Sequence, residues 1–94
     1  MHFVLIYRFP ATAAPQRAAA RPAHGAYVDS LGEALIEAGP LLDENDTAIG
    51  TMLLVTAPDL ETARRIGEND PYASFRTSLE VFAYTPVFVG GKRV

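Results

Sequence analysis

Three segments of the chain are apolar at both odd and even positions, a pattern typical of β-strands that are covered on both faces. They are 2–9 (HFVLIYRF), 49–57 (IGTMLLVTA) and 78–88 (SLEVFAYTPVF). All three are rich in β-branched or aromatic residues, which favour strands. Pro10 ends the first strand, whereas Pro86 predicts that the last one lies at a sheet edge or carries a late bulge.

A long segment between the first two strands favours helix. Residues 11–39 are rich in alanine, and from His24 onward a stripe of mostly apolar side chains recurs every three or four residues. The stripe consists of His24, Tyr27, Val28, Leu31, Leu35 and Ala38. We expect a helix from about residue 14 to 38, closed by Gly39 and Pro40. Pro22 either kinks this helix or restarts it.

The remaining segments complete the order of elements. Leu41–Asp43 can form a short strand, and 44–50 has turn chemistry. A second helix follows Pro58, with Asp59 as its N-cap, and ends near Asn69. The order strand, helix, short strand, strand, helix, strand predicts an α+β fold of the ferredoxin-like βαββαβ type. It has a four-stranded antiparallel sheet in spatial order 4-1-3-2, with both helices on one face.

Length and residue types exclude several kinds of protein. The 94 residues fit one domain, 1–94, whose tail 89–94 we predict to be mobile. Cysteine is absent, which excludes disulfides, thiolate nucleophiles and Cys-ligated zinc. The two histidines do not form an HxH or HExxH spacing. We therefore predict no metal site and no cofactor.

The charge distribution and the N-terminal segment bear on partners and location. The net charge is −3, and the eight basic residues are scattered. Nucleic-acid binding requires a basic face, so we predict no nucleic-acid partner. The N-terminal apolar run covers five residues after His2, which is too short for a signal peptide or a membrane span. We accordingly expect no membrane association and, by default, a cytoplasmic location.

Two helices cover one face of the predicted sheet, yet its three long strands are apolar on both sides. A soluble monomer rarely leaves a large apolar patch in water. We therefore predict a homodimer formed through the helix-free sheet face. The alternative is that these are scattered exposed aliphatic side chains of the ordinary kind.

The predicted topology brings several polar residues to one end of the sheet. Arg8 ends the first strand, Asp70 follows the second helix, and the upper turns of a helix 14–38 would overhang the sheet and carry His24 to its rim. A carboxylate bonded to one imidazole nitrogen fixes the tautomer and leaves the other nitrogen free to move a proton. Simpler roles remain open. Asp70 before Pro71 is also an N-cap, and His24 can be a core residue.

Four stretches of the chain, ARPAHGAYVDSL (20–31), EAGPLLDEND (37–46), IGTMLLV (49–55) and ENDPYASF (68–75), resemble the YCII-related family. The resemblance implies a dimeric α/β-barrel built on the ferredoxin-like fold, with a His-Asp site carried by His24 and Asp70. One activity described in the family is dehydrochlorination of a chlorinated hydroxyhydroquinone. Gly25 departs from the family pattern, which has a bulkier apolar residue there.

Two classes of function follow. The first is a small cofactor-free enzyme, a lyase or isomerase that acts on a cyclic or phenolic molecule. In it His24 is the general acid or base, Asp70 orients His24, and Arg8, Tyr72 and Phe75 contact the substrate. The second is a non-catalytic module that binds a small molecule or a partner in the same pocket. An oxygenase of the wider barrel superfamily finds no specific support in these residues.

Overall fold

A computed structural model describes residues 1–94. The main sheet contains β1 (His2–Arg8), β2 (Leu35–Leu42), β3 (Ala48–Thr56) and β4 (Ser78–Tyr84). The helices are α1 (Ala14–Ser30) and α2 (Leu60–Glu68), and two 3₁₀ turns span Gly32–Ala34 and Pro71–Ser74. A small hairpin, β5 (Phe88–Val89) and β6 (Lys92–Arg93), follows β4. Neither α-helix is both long and apolar enough to cross a bilayer.

The sheet has the predicted order and direction. The four strands lie in the order β2-β3-β1-β4, and every neighbouring pair is antiparallel. The central strand β1 pairs Leu5 with Leu53 of β3 on one side and with Val81 of β4 on the other. The α+β ferredoxin-like prediction, with spatial order 4-1-3-2, is confirmed.

The first helix is shorter than predicted. It runs without interruption through Pro22 but ends at Ser30, and Gly32 follows with φ +57°, a left-handed conformation that suits glycine and stops the helix. Leu35–Leu42 is then an eight-residue strand rather than the last turns of a helix and a short strand at 41–43. Pairing with β3 supplies backbone hydrogen bonds along this segment, and they outweigh its local helical spacing.

The last predicted strand is also shorter, because β4 ends at Tyr84. Pro86 has no N–H to donate to a ladder, and the chain leaves the main sheet there. Gly90 and Gly91, both with positive φ, then form the turn that joins β5 to β6. The predicted mobility of 89–94 stays a prediction.

The core lies between the sheet and the helices. Its largest members alternate along β1 and β3: Phe3, Leu5, Tyr7, Leu53 and Val55. The N-cap of α2 is as predicted, since Asp59 Oδ1 accepts the backbone N–H of Thr62 at 2.7 Å. Gly67 allows α2 to approach the sheet closely, because a Cβ at this position would lie 2.9 Å from a methyl group of Leu79.

The opposite face of the sheet carries no helix and is apolar. The residues that alternate with the buried ones form this helix-free face: Val4, Ile6, Met52, Leu54, Phe82 and Tyr84. Phe82 is 51% exposed and Tyr84 is 42% exposed in the single chain. An apolar surface of this extent is the type that soluble proteins cover with a partner.

Candidate active site

His24 and Asp70 form a hydrogen-bonded pair, although they are 46 residues apart. His24 Nδ1 lies 2.8 Å from Asp70 Oδ1. α1 carries the imidazole, and the 3₁₀ turn after α2 positions the carboxylate. The premise that a helix of about 25 residues would overhang the sheet was wrong, since α1 has 17 residues. The two side chains nevertheless meet, because the turn at Asp70 packs directly against α1.

Asp70 accepts three hydrogen bonds and is only 2% exposed. Oδ1 accepts from His24 Nδ1 and from the backbone N–H of Tyr72 at 2.9 Å. Oδ2 accepts the phenol O–H of Tyr7 at 3.0 Å. Asp70 is thus both the N-cap of the turn and the partner of His24, as the sequence suggested. One oxygen serves both roles, and Tyr7 occupies the other.

Geometry fixes the tautomer of His24. A carboxylate has no proton to donate, so Nδ1 carries a hydrogen, and in the neutral imidazole Nε2 then carries the lone pair. Nε2 makes no hydrogen bond within the chain, yet it is not enclosed by protein atoms. The side chain as a whole is 16% exposed. His24 therefore presents one acceptor nitrogen outward from an otherwise covered ring.

Tyr72 holds the imidazole from one side. The two rings are stacked with centroids 3.9 Å apart and planes 7° apart. Tyr72 is itself buried, and it meets Phe9 edge-on at 5.4 Å and Phe75 at 5.3 Å. The sequence assigned Tyr72 to substrate contact. Its main observed contact is with His24, so the ring is fixed by stacking as well as by Asp70.

A cleft of about 330 Å³ opens beside this pair, between α1 and the β2–β3 half of the sheet. Its wall on α1 includes Arg21, His24 and Gly25, and its floor includes Pro40 and the buried Thr51. This volume suits a small molecule. A Cβ at Gly25 would meet nothing within 4 Å, so the unusual glycine widens the cleft without a steric requirement for it.

Arg8 and Phe75 lie apart from this cleft. Arg8 points to the helix-free side of the sheet, where its Nε is 2.9 Å from Glu80 Oε1. Phe75 borders a separate shallow hollow between α1 and the second 3₁₀ turn, beside Gln16 and Ser74. The single chain thus brings together His24, Asp70 and Tyr72. Phe75 packs behind Tyr72 without lining the cleft, and Arg8 lies on the other side of the sheet.

Two residues of the site were given no role from the sequence. Tyr7 lies in the apolar segment 2–9, and the alternating pattern of this segment gives no sign that its phenol donates a hydrogen bond to a buried carboxylate. Arg21 lies in the stretch 20–31, which resembles the YCII-related family, and that resemblance was the signal available for it. No three His, Asp or Glu side chains cluster as a metal-binding group, and the absence of a metal or cofactor stays a prediction.

We expect the free energy of unfolding to vary with pH in a way that reveals the hydrogen bond between Tyr7 and Asp70. Burial, and then the charge of Asp70, raises the pKa of Tyr7 well above its usual value of 10.0. The folded protein holds the Tyr7 proton more tightly than the unfolded chain does, and this stabilises the folded state fully at any pH below the unfolded pKa. The stabilisation is lost as the pH rises from the unfolded pKa towards the folded pKa. The free energy of unfolding should therefore fall by about 1.4 kcal/mol per pH unit above pH ~10.

Urea unfolding across this pH range tests the effect, with Tyr7→Phe as the comparison. The variant lacks the phenol and should show a correspondingly smaller alkaline slope than the parent protein. Equal slopes in the two proteins would mean that Tyr7 is not the group responsible.

The fold and the site define a class: a ferredoxin-like α+β chain with a His-Asp pair beside a cleft of about 330 Å³. The chain belongs to the YCII-related domain family, whose model matches residues 1–88. This confirms the resemblance drawn from the four sequence stretches. Among curated proteins, no sequence matches the chain.

Solved structures share the fold. The 5-chloro-2-hydroxyhydroquinone dehydrochlorinase TftG from Burkholderia phenoliruptrix AC1100, in complex with 2,5-dihydroxybenzoquinone, has a TM-score of 0.80 and 24% identity over 90% of this chain and 94% of that chain. SnoaB, a cofactor-independent oxygenase from Streptomyces nogalater, has a TM-score of 0.54 and 15% identity over 90% and 92%. The Arabidopsis thaliana protein At3g17210 has a TM-score of 0.51 and 16% identity over 95% and 97%. At these identities the similarity establishes a common fold.

Proposed function

We propose that this protein is a small cofactor-free enzyme of the lyase or isomerase type, which moves a proton on a cyclic or phenolic small molecule. The observation that carries the proposal is the His24–Asp70 bond of 2.8 Å, with Nε2 unpartnered beside a cleft. The same fold in TftG, a dehydrochlorinase bound to a flat quinone, supports this class of substrate.

In this proposal His24 Nε2 acts as the general base. It takes a proton from a hydroxyl or C–H group of the substrate, and the electron pair left behind forms a new double bond. In a lyase a leaving group such as chloride departs with its own electron pair, whereas in an isomerase the proton returns at another atom. Neither reaction needs an oxidant or reductant. Asp70 stabilises the imidazolium formed in the first step, and Tyr72 keeps the ring in position.

A substrate panel in D₂O tests the proposal directly. Chlorinated and unchlorinated hydroxyhydroquinones and related enolisable cyclic compounds are incubated with the protein, and NMR and a halide electrode follow deuterium incorporation and chloride release. We expect catalysed proton exchange or elimination with at least one compound. Binding without exchange across the panel would instead favour the non-catalytic binding module.

We propose further that the protein is a homodimer joined through the helix-free face. The support is the apolar set on that face, including Leu54 and Met52 in β3 and the half-exposed Phe82 in β4. Packing this face against its copy would remove these side chains from water, which favours association by roughly 25 cal/mol per Å² of apolar surface.

Leu54→Asp should convert the dimer to a monomer or an aggregate, because it introduces a charge into the centre of that face. Leu60→Asp is the matched control, since Leu60 is 45% exposed on α2 and lies away from the helix-free face. Light scattering at micromolar concentration measures both variants. A monomeric parent protein, or equal behaviour of the two variants, would contradict this interface.

A further inference from the structure

A second hollow of about 300 Å³ lies next to the cleft, near the start of α1. It is lined mainly by apolar residues, and it contains one cation, Arg17. Arg17 is one helical turn before Arg21, which lines the cleft. On β3, Ile49 of the hollow is two residues from Thr51 of the cleft. The two hollows are therefore neighbours along α1 and β3, although they share no lining residue.

The guanidinium of Arg17 has no polar partner within the chain. Its Nε is enclosed by protein atoms and makes no hydrogen bond, and no carboxylate lies within ion-pair distance. The group instead lies over the ring of Phe9, 5.3 Å from its centroid. Covered polar atoms nearly always have a hydrogen-bond partner, and Nε lacks one. The two terminal nitrogens of Arg17 are also unpaired but are not enclosed, so they are free to bind a group from outside the chain.

Asp43 is the carboxylate in the same hollow, but it is committed to its own turn. Its Oδ1 accepts the backbone N–H groups of Asn45 at 2.8 Å and Thr47 at 3.0 Å. No salt bridge joins Asp43 to Arg17, although both residues line the hollow.

An aromatic wall joins Arg17 to the catalytic pair. Phe9, which lies under the guanidinium, meets Tyr72 edge-on at 5.4 Å, and Tyr72 is stacked on His24. Arg17 precedes His24 by seven residues on α1, a separation of about 10 Å along the helix axis. Phe9 lines the hollow and Tyr72 lines the cleft, so these two rings connect the surroundings of Arg17 with those of His24.

We propose that Arg17 binds an anionic group of the substrate, so that the enzyme acts on flat aromatic or enolisable acids. A carboxylate, or a comparable planar anion, accepts two hydrogen bonds from the guanidinium, while the ring extends along α1 towards His24, which lies about 10 Å further along the helix axis. The position of the reacting ring rests on the function proposed above. The anion subsite at Arg17 rests on the hollow and the unpaired guanidinium.

Calorimetric binding of 2-naphthoate and its neutral analogue 2-naphthamide to the assembled protein tests this subsite. We expect the acid to bind the parent protein about tenfold more tightly or better, the effect of a charge-assisted hydrogen bond. Arg17→Met should remove this preference while leaving the affinity for the amide unchanged. Arg64→Met, a matched change at an exposed arginine of α2, should leave the preference intact.

The outcomes separate the subsite from the proposed reaction. Equal affinities for acid and amide in the parent protein, or a preference that survives Arg17→Met, overturn the subsite. A loss of amide binding as large as that of the acid in Arg17→Met also overturns it, because Arg17 would then only support Phe9. His24→Ala should retain the preference for the acid. If the acid binds through Arg17 but no compound turns over, the subsite stands and the enzymatic proposal fails.

Discussion

Replacing His24 with alanine is expected to lower turnover by about 10²- to 10⁴-fold, the contribution typical of a positioned general acid or base. His24 is the titratable side chain that presents an unpartnered nitrogen beside the cleft and is fixed there by two contacts. Alanine removes the base but leaves Asp70 bonded to Tyr7 and to the backbone of Tyr72. The fold should therefore survive, with a loss of about 1–2 kcal/mol in the free energy of unfolding.

Steady-state rates with a substrate from the D₂O panel, together with urea unfolding, measure both effects. Gln16→Ala is the control, because Gln16 is an exposed residue of the same helix and does not line the cleft. A His24→Ala protein that retains most of its activity would exclude His24 as the base. A protein that fails to fold would show that the imidazole is needed mainly for packing against Tyr72.

Replacing Asp70 with alanine should cost about 3 kcal/mol or more in the free energy of unfolding, in addition to most of the activity. The change leaves three donors in a buried place without an acceptor: the phenol of Tyr7, Nδ1–H of His24 and the backbone N–H of Tyr72. Each unsatisfied buried donor costs about 1–3 kcal/mol. His24 also loses the group that fixes its tautomer.

Asp70→Asn separates the two roles of this residue. The amide oxygen can still accept from the backbone of Tyr72, so we expect a smaller loss of about 1–2 kcal/mol, whereas activity should fall steeply because the negative charge is gone. Asp59→Ala is the matched control, since Asp59 also caps a helix but lies at the surface, and its loss should be smaller than that of Asp70→Ala. Equal losses at the two positions would mean that Asp70 acts as a cap alone.

Most of the fold could be predicted from the sequence, because the residue pattern of each long strand indicates a strand without reference to the rest of the chain. Apolar positions on both sides of 2–9 and 49–57 predicted central strands, and Asp59 and Asp70 predicted caps that the structure contains. The segment 35–42 was misassigned as helix and short strand. The spacing of its apolar residues fits a helix or a strand. The choice between them depends on pairing with β3, which the local sequence does not reveal.

By itself the sequence determined the order of elements, the two-sided apolar strands and the pairing of His24 with Asp70, the last with help from the family resemblance. Only the tertiary structure decided the surroundings of that pair. Tyr7 becomes a donor to Asp70, Tyr72 stacks on the imidazole and Arg8 turns to the opposite face, because strand register and helix length set which side chains meet. The periodicity of the sequence assigns a residue to one face of a strand or helix. Contacts between residues that are 46 positions apart, as in His24–Asp70, or 63 apart, as in Tyr7–Asp70, form only when the elements pack.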